Sequence, residues 1–223
     1  MRLRRVGSFL LDLVYPPVCV LCGEYSAGEL LCPACRGALE PLRSDGLQEA
    51  EIRRLHPELG LLLTPFVYTG TMRTLLIRLK THPDFRAVDF LAGELARAAA
   101  DSGAVPDLVT CMPMSKEKLR RRGFNHARLL GEAAARDLGC RFDGRLLRNT
   151  GGLTDQHSLA GNLRAEHARG SIRPGPKRLS GERVLLVDDI CTTGSSLAAA
   201  SEALRGLGAG EVIAAAAAIT PRD

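Results

Sequence analysis

The stretch Val184-Leu185-Leu186-Val187-Asp188-Asp189-Ile190-Cys191-Thr192-Thr193-Gly194-Ser195-Ser196 opens with four consecutive apolar residues. The run lacks the alternation of a half-wet strand and suits a short parallel strand buried on both faces. Asp188 and Asp189 follow at its C-terminal end, the edge where open α/β sheets hold their ligands. Thr192-Thr193-Gly194 is a hydroxyl-rich turn, and Ser195-Ser196-Leu197-Ala198-Ala199-Ala200 is a good helix opening. Amides of such a turn, with a helix dipole behind them, attract an anion. Carboxylates for sugar hydroxyls or a metal thus stand beside a cradle for phosphate. The alternative is a core strand with a polar end, or an acidic cluster of the response-regulator kind. Strand, acid pair and loop in one register favour a phosphorylated sugar.

This run resembles the binding motif for 5-phosphoribosyl-1-pyrophosphate (PRPP) in type I phosphoribosyltransferases. The resemblance implies that Asp188 and Asp189 hold the ribose 2′ and 3′ hydroxyls and serve catalysis. It implies that Thr192, Thr193, Gly194, Ser195 and Ser196 hold the 5′-phosphate. Serine stands at 196 where threonine is common, and the hydroxyl survives.

A length of 223 residues leaves room for one main domain and a small accessory one. Tryptophan is absent and aromatic residues make up only 4%, so an aromatic stacking platform for nucleic acid has few candidates. No apolar run approaches the roughly twenty residues that cross a bilayer. Residues 1–14 imitate a signal peptide, but Asp12 interrupts the apolar centre and Tyr15-Pro16-Pro17-Val18 offers no small-residue cleavage site. Val6, Phe9, Leu10, Leu13 and Val14 instead share one face of an expected amphipathic helix. Seven cysteines, an odd number, argue against a complete disulfide framework and for a cytoplasmic location. The net charge is +5. Lys116, Lys118, Arg120, Arg121, Arg122 and Arg128, opposed only by Glu117 between 112 and 130, match that whole excess.

Cys19-Val-Leu-Cys22 and Cys32-Pro-Ala-Cys35 are paired CxxC motifs, which suit tetrahedral zinc. Four protein ligands make the metal structural, with no open position for chemistry. Gly23 directly follows the first pair and can turn the chain with positive φ, as a zinc knuckle needs. A redox dithiol is the competing reading, without a thioredoxin-like context to support it. Of the scattered cysteines, Cys191 falls inside the loop, where a small tolerated residue competes with a reactive thiol.

Three units are expected: residues 1–45 with the N-terminal helix and four-cysteine zinc ribbon, a polar helical linker at 46–60, and an α/β domain at 61–223. Within the last, 61–68 reads as a strand, with Pro65 marking an edge or bulge. Helices are expected at 72–80, 87–100, 125–138 and 195–207, and strands at 107–112, 146–148, 184–187 and 212–219. The alternation indicates a mainly parallel, doubly wound sheet. The segment 112–125 then leaves a strand on the same edge as the acid pair. Its Ser115, Lys116, Arg120 and Arg122 are candidates for a diphosphate or a nucleic-acid backbone, against the ordinary reading of a solvated charged turn. Residues 156–173 are polar and long enough to form a lid, and His157 and His167 within it fit surface histidines best. Lys80 is a ligand contact or a surface lysine.

Assembled, the chain resembles the ComF family, bacterial proteins with an N-terminal cysteine ribbon on a phosphoribosyltransferase-like domain, often linked to competence for DNA uptake. The resemblance rests on the CxxC pairs, Phe66-Val-Tyr68 followed by Lys80, Arg120-Arg-Arg-Gly-Phe-Asn125, then Gln156, Leu159 and Arg164, and the acid-pair loop. His126 departs from the usual glutamine, His167 from asparagine, and Ser171-Ile172 from Ala-Phe. As an enzyme, such a protein would use PRPP with Mg²⁺ and release pyrophosphate while transferring to an unidentified acceptor. As a binding protein, it would sense PRPP or handle single-stranded DNA alongside competence proteins.

Overall fold

The computed structural model describes residues 17–81, 84–151 and 171–221. The expected helix at 1–14 lies outside them, as do Gln156, His157, Leu159, Arg164 and His167 of the expected lid. Among the described residues no helix is long and apolar enough to cross a membrane.

In chain order the elements are α1 (Pro33–Leu39), α2 (Leu47–Leu55), β1 (Leu61–Leu63), β2 (Phe66–Val67), α3 (Gly70–Thr81) and α4 (Phe85–Asp101). They continue with β3 (Leu108–Cys111), α5 (Lys116–Arg122), α6 (His126–Leu138), β4 (Arg141–Phe142) and β5 (Leu147–Asn149). The chain closes with β6 (Ile172–Pro174), β7 (Arg183–Cys191), α7 (Ser195–Gly206) and β8 (Glu211–Ile219). The main sheet runs β1-β8-β7-β3-β4, with β2 also paired to β8, and every pairing is parallel. β1 and β2 are one edge strand split at Thr64-Pro65, where proline has no amide to give the ladder. β5 and β6 form a separate antiparallel pair.

Side-chain alternation on the central strands divides the core in two. Leu185, Val187, Ile213 and Ala215 face one cluster with α3, α4 and α6. Val184, Leu186, Val212, Ala214 and Ala216 face the other with α7. The run Ala214–Ala218 is buried throughout, and its small side chains leave space for helices on both faces. Because β3 leads outward to β4 and β7 leads the opposite way to β8, the sheet reverses its winding between β3 and β7. A doubly wound sheet opens its ligand crevice at that point, beyond the C-terminal ends of the two strands.

Three elements differ from the sequence expectation. β7 extends to Cys191, because β8 is long enough to pair with it that far, so Asp188 and Asp189 lie inside the strand rather than after it. The charged segment is a helix, α5, with Ser115 as its N-cap and Gly123 ending it in the left-handed region. Residues 46–60 pack back on the domain: Ile52 and Leu59 are buried in the second core with Leu62 and Leu197.

The ribbon also shares a core. Cys19, Val20, Leu21 and Leu31 belong to the same cluster as Leu75, Leu76 and Leu79 of α3. Arg78 donates to the Leu21 carbonyl, and Arg86 donates to the carbonyls of Val18 and Glu29. Arg43 links the segment after α1 to α4 through a 2.8 Å pair with Glu94.

Candidate functional site

β7 delivers Asp188 and Asp189 to the crevice. Met112, one residue beyond β3, donates its amide to the Val187 carbonyl at 2.8 Å, so the chain leaving β3 runs beside the acid pair. Asn125 fixes its return: its Nδ2 donates to the Met112 carbonyl at 3.0 Å while its Oδ1 accepts from the Ala127 amide and caps α6. The next residue, His126, is thereby driven into the crevice and buried.

Lys80 and the His126 imidazole approach Asp189, and Arg122 stands behind the imidazole. Lys80 Nζ, from the last turn of α3, lies 3.1 Å from Asp189 Oδ2. His126 Nδ1 lies 3.9 Å from the same oxygen and 3.5 Å from Arg122 Nη1. The edge of Phe124 meets the imidazole at a centroid distance of 5.1 Å. His126 Nε2 is buried without a hydrogen-bond partner. Burial, with the Asp189 charge opposing it, pushes the His126 imidazole down. Burial and then the Asp189 charge push the Asp188 carboxyl well above the carboxylate range, against one amide bond from Asp189.

The anion loop follows. Thr192, Thr193 and Ser196 are exposed, and Gly194 is buried with φ +78° immediately before α7. A Cβ on Gly194 would stand 2.4 Å from Ile52 Cγ2, so the position requires glycine on both backbone and steric grounds. Thr193 Oγ1 and Ser195 Oγ are 3.1 Å apart, and Ser195 Oγ also lies 3.4 Å from His56 Nε2. Gly194 gives the helix start no side-chain cap, and the Ser195 amide donates to Thr193 Oγ1 at 3.5 Å.

The cysteine cluster is a second site, remote in chemistry. The four sulfurs of Cys19, Cys22, Cys32 and Cys35 lie within 4.8 Å of one another. Cys22 and Cys32 sulfurs are 3.7 Å apart. A tetrahedral zinc with Zn–S bonds of about 2.3 Å has S···S edges of about 3.8 Å, so the donor set fits. Burial and then the neighbouring sulfurs push the Cys35 thiol up, and a cation among the four relieves that crowding. Gly23 takes φ +79° and donates its amide to the Cys19 carbonyl, the knuckle turn that the sequence anticipates.

Two domain families match the chain. The double zinc ribbon domain family matches residues 10–46, and the phosphoribosyl transferase domain family matches residues 127–222. The chain thus joins a double zinc ribbon to a phosphoribosyltransferase domain, the arrangement that the ComF resemblance implies. The Escherichia coli K12 protein named DNA utilization protein YhgH is 26% identical over 201 residues, 87% of each chain. Competence protein F of Haemophilus influenzae is 29% identical over 110 residues, 48% of each chain. Similar solved structures include a purine phosphoribosyltransferase from Pyrococcus horikoshii, at TM-score 0.40 and 20% identity over 60% of this chain and 74% of that one. A phosphoribosyltransferase from Corynebacterium diphtheriae has TM-score 0.38 and 21% identity over 75% and 80%.

The candidate residues are not all gathered together. Arg122 reaches the acid pair through His126. Lys116 and Arg120 are exposed on α5, and Ser115 Oγ accepts from the Lys118 amide as that helix's cap. Cys191 is buried at the end of β7, which fits the small-residue reading better than an open thiol. Lys80 stands beside the acid pair rather than on open surface. Sequence reasoning treats His126 only as a departure from a pattern and passes over His56. A signal existed for the first, since it replaces an amide directly after a helix cap beside a strand end. For His56 there was none.

Proposed function

We propose that this protein binds PRPP in the crevice between β3 and β7 and transfers its phosphoribosyl group to an acceptor, releasing pyrophosphate. The observation carrying the reading is the acid pair on β7 running directly into the Gly194 loop and α7, opposite Lys80, Arg122 and His126. In this reading Asp188 and Asp189 accept hydrogen bonds from the ribose hydroxyls, and the amides and hydroxyls of 192–196 receive the 5′-phosphate. The bond from C1′ to the diphosphate oxygen breaks, its electron pair leaves with the pyrophosphate, and the acceptor bonds to C1′ and loses a proton. Lys80 and Arg122 face the charge that grows on the leaving group, while the carboxylates offset the cationic ribose. Mg²⁺ arriving with the donor would supply further neutralisation of the diphosphate beside Lys80 and Arg122. Lys80 leaves Asp189 when the donor's hydroxyls and diphosphate arrive.

The test is calorimetric titration of the zinc-loaded protein with PRPP, with and without Mg²⁺. Micromolar, Mg²⁺-dependent binding that is lost in Asp188→Asn/Asp189→Asn supports the reading and opens an acceptor screen by pyrophosphate release. Absence of binding in calorimetry and in an orthogonal assay overturns it.

The exposed basic face of α5 favours a second reading, contact with a nucleic-acid backbone. Lys116→Ala/Lys118→Ala/Arg121→Ala is then expected to weaken single-stranded DNA binding and flatten its salt dependence, leaving PRPP binding in place.

A further inference from the structure

The phosphate loop is buttressed by a segment that precedes the α/β domain in sequence. After α2, the chain turns through Pro57–Leu59 and places His56 and Leu59 against Gly194. His56 Nε2 lies 3.4 Å from Ser195 Oγ, and His56 Nδ1 lies 3.3 Å from Glu58 Oε1. Both ring nitrogens are therefore engaged, one by a carboxylate and one by a hydroxyl of the loop. The imidazole side chain is 16% exposed and the Glu58 side chain 21%, so the relay is sheltered without being sealed. Arg205 of α7 donates to the Glu58 carbonyl and holds the turn on the helix that the loop opens.

We propose that Glu58, His56 and Ser195 form a proton-linked relay that tunes the 5′-phosphate end of the site, an inference that rests on the PRPP reading above. His56 is a positioning residue acting through Ser195. With the loop empty, a neutral imidazole accepts from the Ser195 hydroxyl while its Nδ1–H faces Glu58. When a phosphate dianion occupies the loop, the Ser195 hydroxyl turns to donate to the phosphate, and His56 takes a proton from the acid form of the buffer, leaving its conjugate base. The imidazolium then donates to Ser195 Oγ through Nε2 and to Glu58 through Nδ1. Its charge is offset by Glu58 on one side and by the ligand on the other. The elements around His56 contribute Thr193 and Ser195 from the loop, Glu58 and the apolar Ile52 and Leu59, Arg205 from α7, and Arg53 and Arg54 from its own helix.

The experiment is calorimetry of zinc-loaded full-length protein with ribose 5-phosphate, a ligand lacking the diphosphate. It is run from pH 6 to 8.5 in buffers of different ionisation enthalpy, for the wild type, His56→Gln and Glu58→Gln. The wild type is expected to take up more protons on binding near pH 7 than His56→Gln does. His56→Gln is expected to bind about fivefold more weakly at pH 6.5 and nearly as well at pH 8.5. Glu58→Gln, which keeps its shape, is expected to fall between them. Identical pH profiles and proton uptake in all three proteins overturn the relay while leaving the PRPP reading standing, even where His56→Gln lowers Tm through lost packing. Failure of the wild type to bind ribose 5-phosphate and PRPP at all overturns both.

Discussion

Lys80 Nζ and Asp189 Oδ2 are 3.1 Å apart, which joins the last turn of α3 to the central strand β7 across the crevice. Two residues earlier on the same helix, Arg78 holds the carbonyl of Leu21 in the ribbon. One helix therefore bears on the zinc centre and on the acid pair at once. The Lys80 charge also lowers the cost of ionising Asp188.

Lys80→Met should weaken pyrophosphate binding about tenfold, roughly 1.4 kcal/mol, because a partly desolvated cation facing the diphosphate is lost. The same change leaves Asp188 harder to ionise. Competition titration with pyrophosphate and ribose 5-phosphate separates the effects, and an unchanged pyrophosphate affinity would remove Lys80 from the site.

Asp188→Asn should stabilise the fold while disabling the site. An acid whose folded pKa is raised binds its proton more tightly when folded, so it costs nothing at low pH and costs stability as pH rises through the folded value. The amide removes that cost. A gain of about 1 kcal/mol, about 2–4 °C in Tm for a chain of this size, is expected at pH 8 and should shrink toward pH 5. Thermal melts across that range check the sign. A variant less stable than wild type at pH 8 contradicts it.

Gly194→Ala combines a left-handed backbone with a Cβ driven into Ile52 Cγ2. A loss of about 2–4 kcal/mol is expected, part conformational and part steric. Ile52→Ala removes Cγ2, so in a double-mutant cycle with Gly194→Ala the coupling energy from denaturant melts reports the steric part and the remainder is conformational.

Zinc removal should reach the α/β domain. Cys19, Val20, Leu21 and Leu31 share a core cluster with Leu75, Leu76 and Leu79 of α3, so loss of the ribbon removes part of that core and unties Arg78. Chelation is expected to lower Tm and raise binding of a hydrophobic dye. Zinc added back should reverse both. A chelated protein with unchanged Tm would show that the ribbon contributes no stability to its neighbour.

Much of this architecture is written in short segments. The split edge strand at Pro65, the cap at Asn125, the buried run Val184–Val187 and the paired CxxC motifs each follow from chemistry within a few residues. The α5 helix was hidden because Lys116–Arg122 has no apolar face for periodicity to reveal, and only Ser115 and Gly123 mark its ends. The extent of β7 was hidden because carboxylates ordinarily end a strand. Here the long partner β8 keeps the pairing going to Cys191↔Ile219.

The sequence alone determined the acid pair, the hydroxyl-rich loop and the zinc ligands, since those groups act through neighbours on the same stretch of chain. The tertiary structure decided what surrounds them. Lys80, His126 and His56 come from three separate helical segments, and each is an ordinary charged or aromatic residue in its own surroundings. Only the sheet order, with β3 beside β7 and β8 bearing the edge strand, carries α3 and α6 to the acid pair and α2 to the loop. Electrostatic partnership falls off over a few ångströms, so the fold had to set those distances before the residues acquired a role.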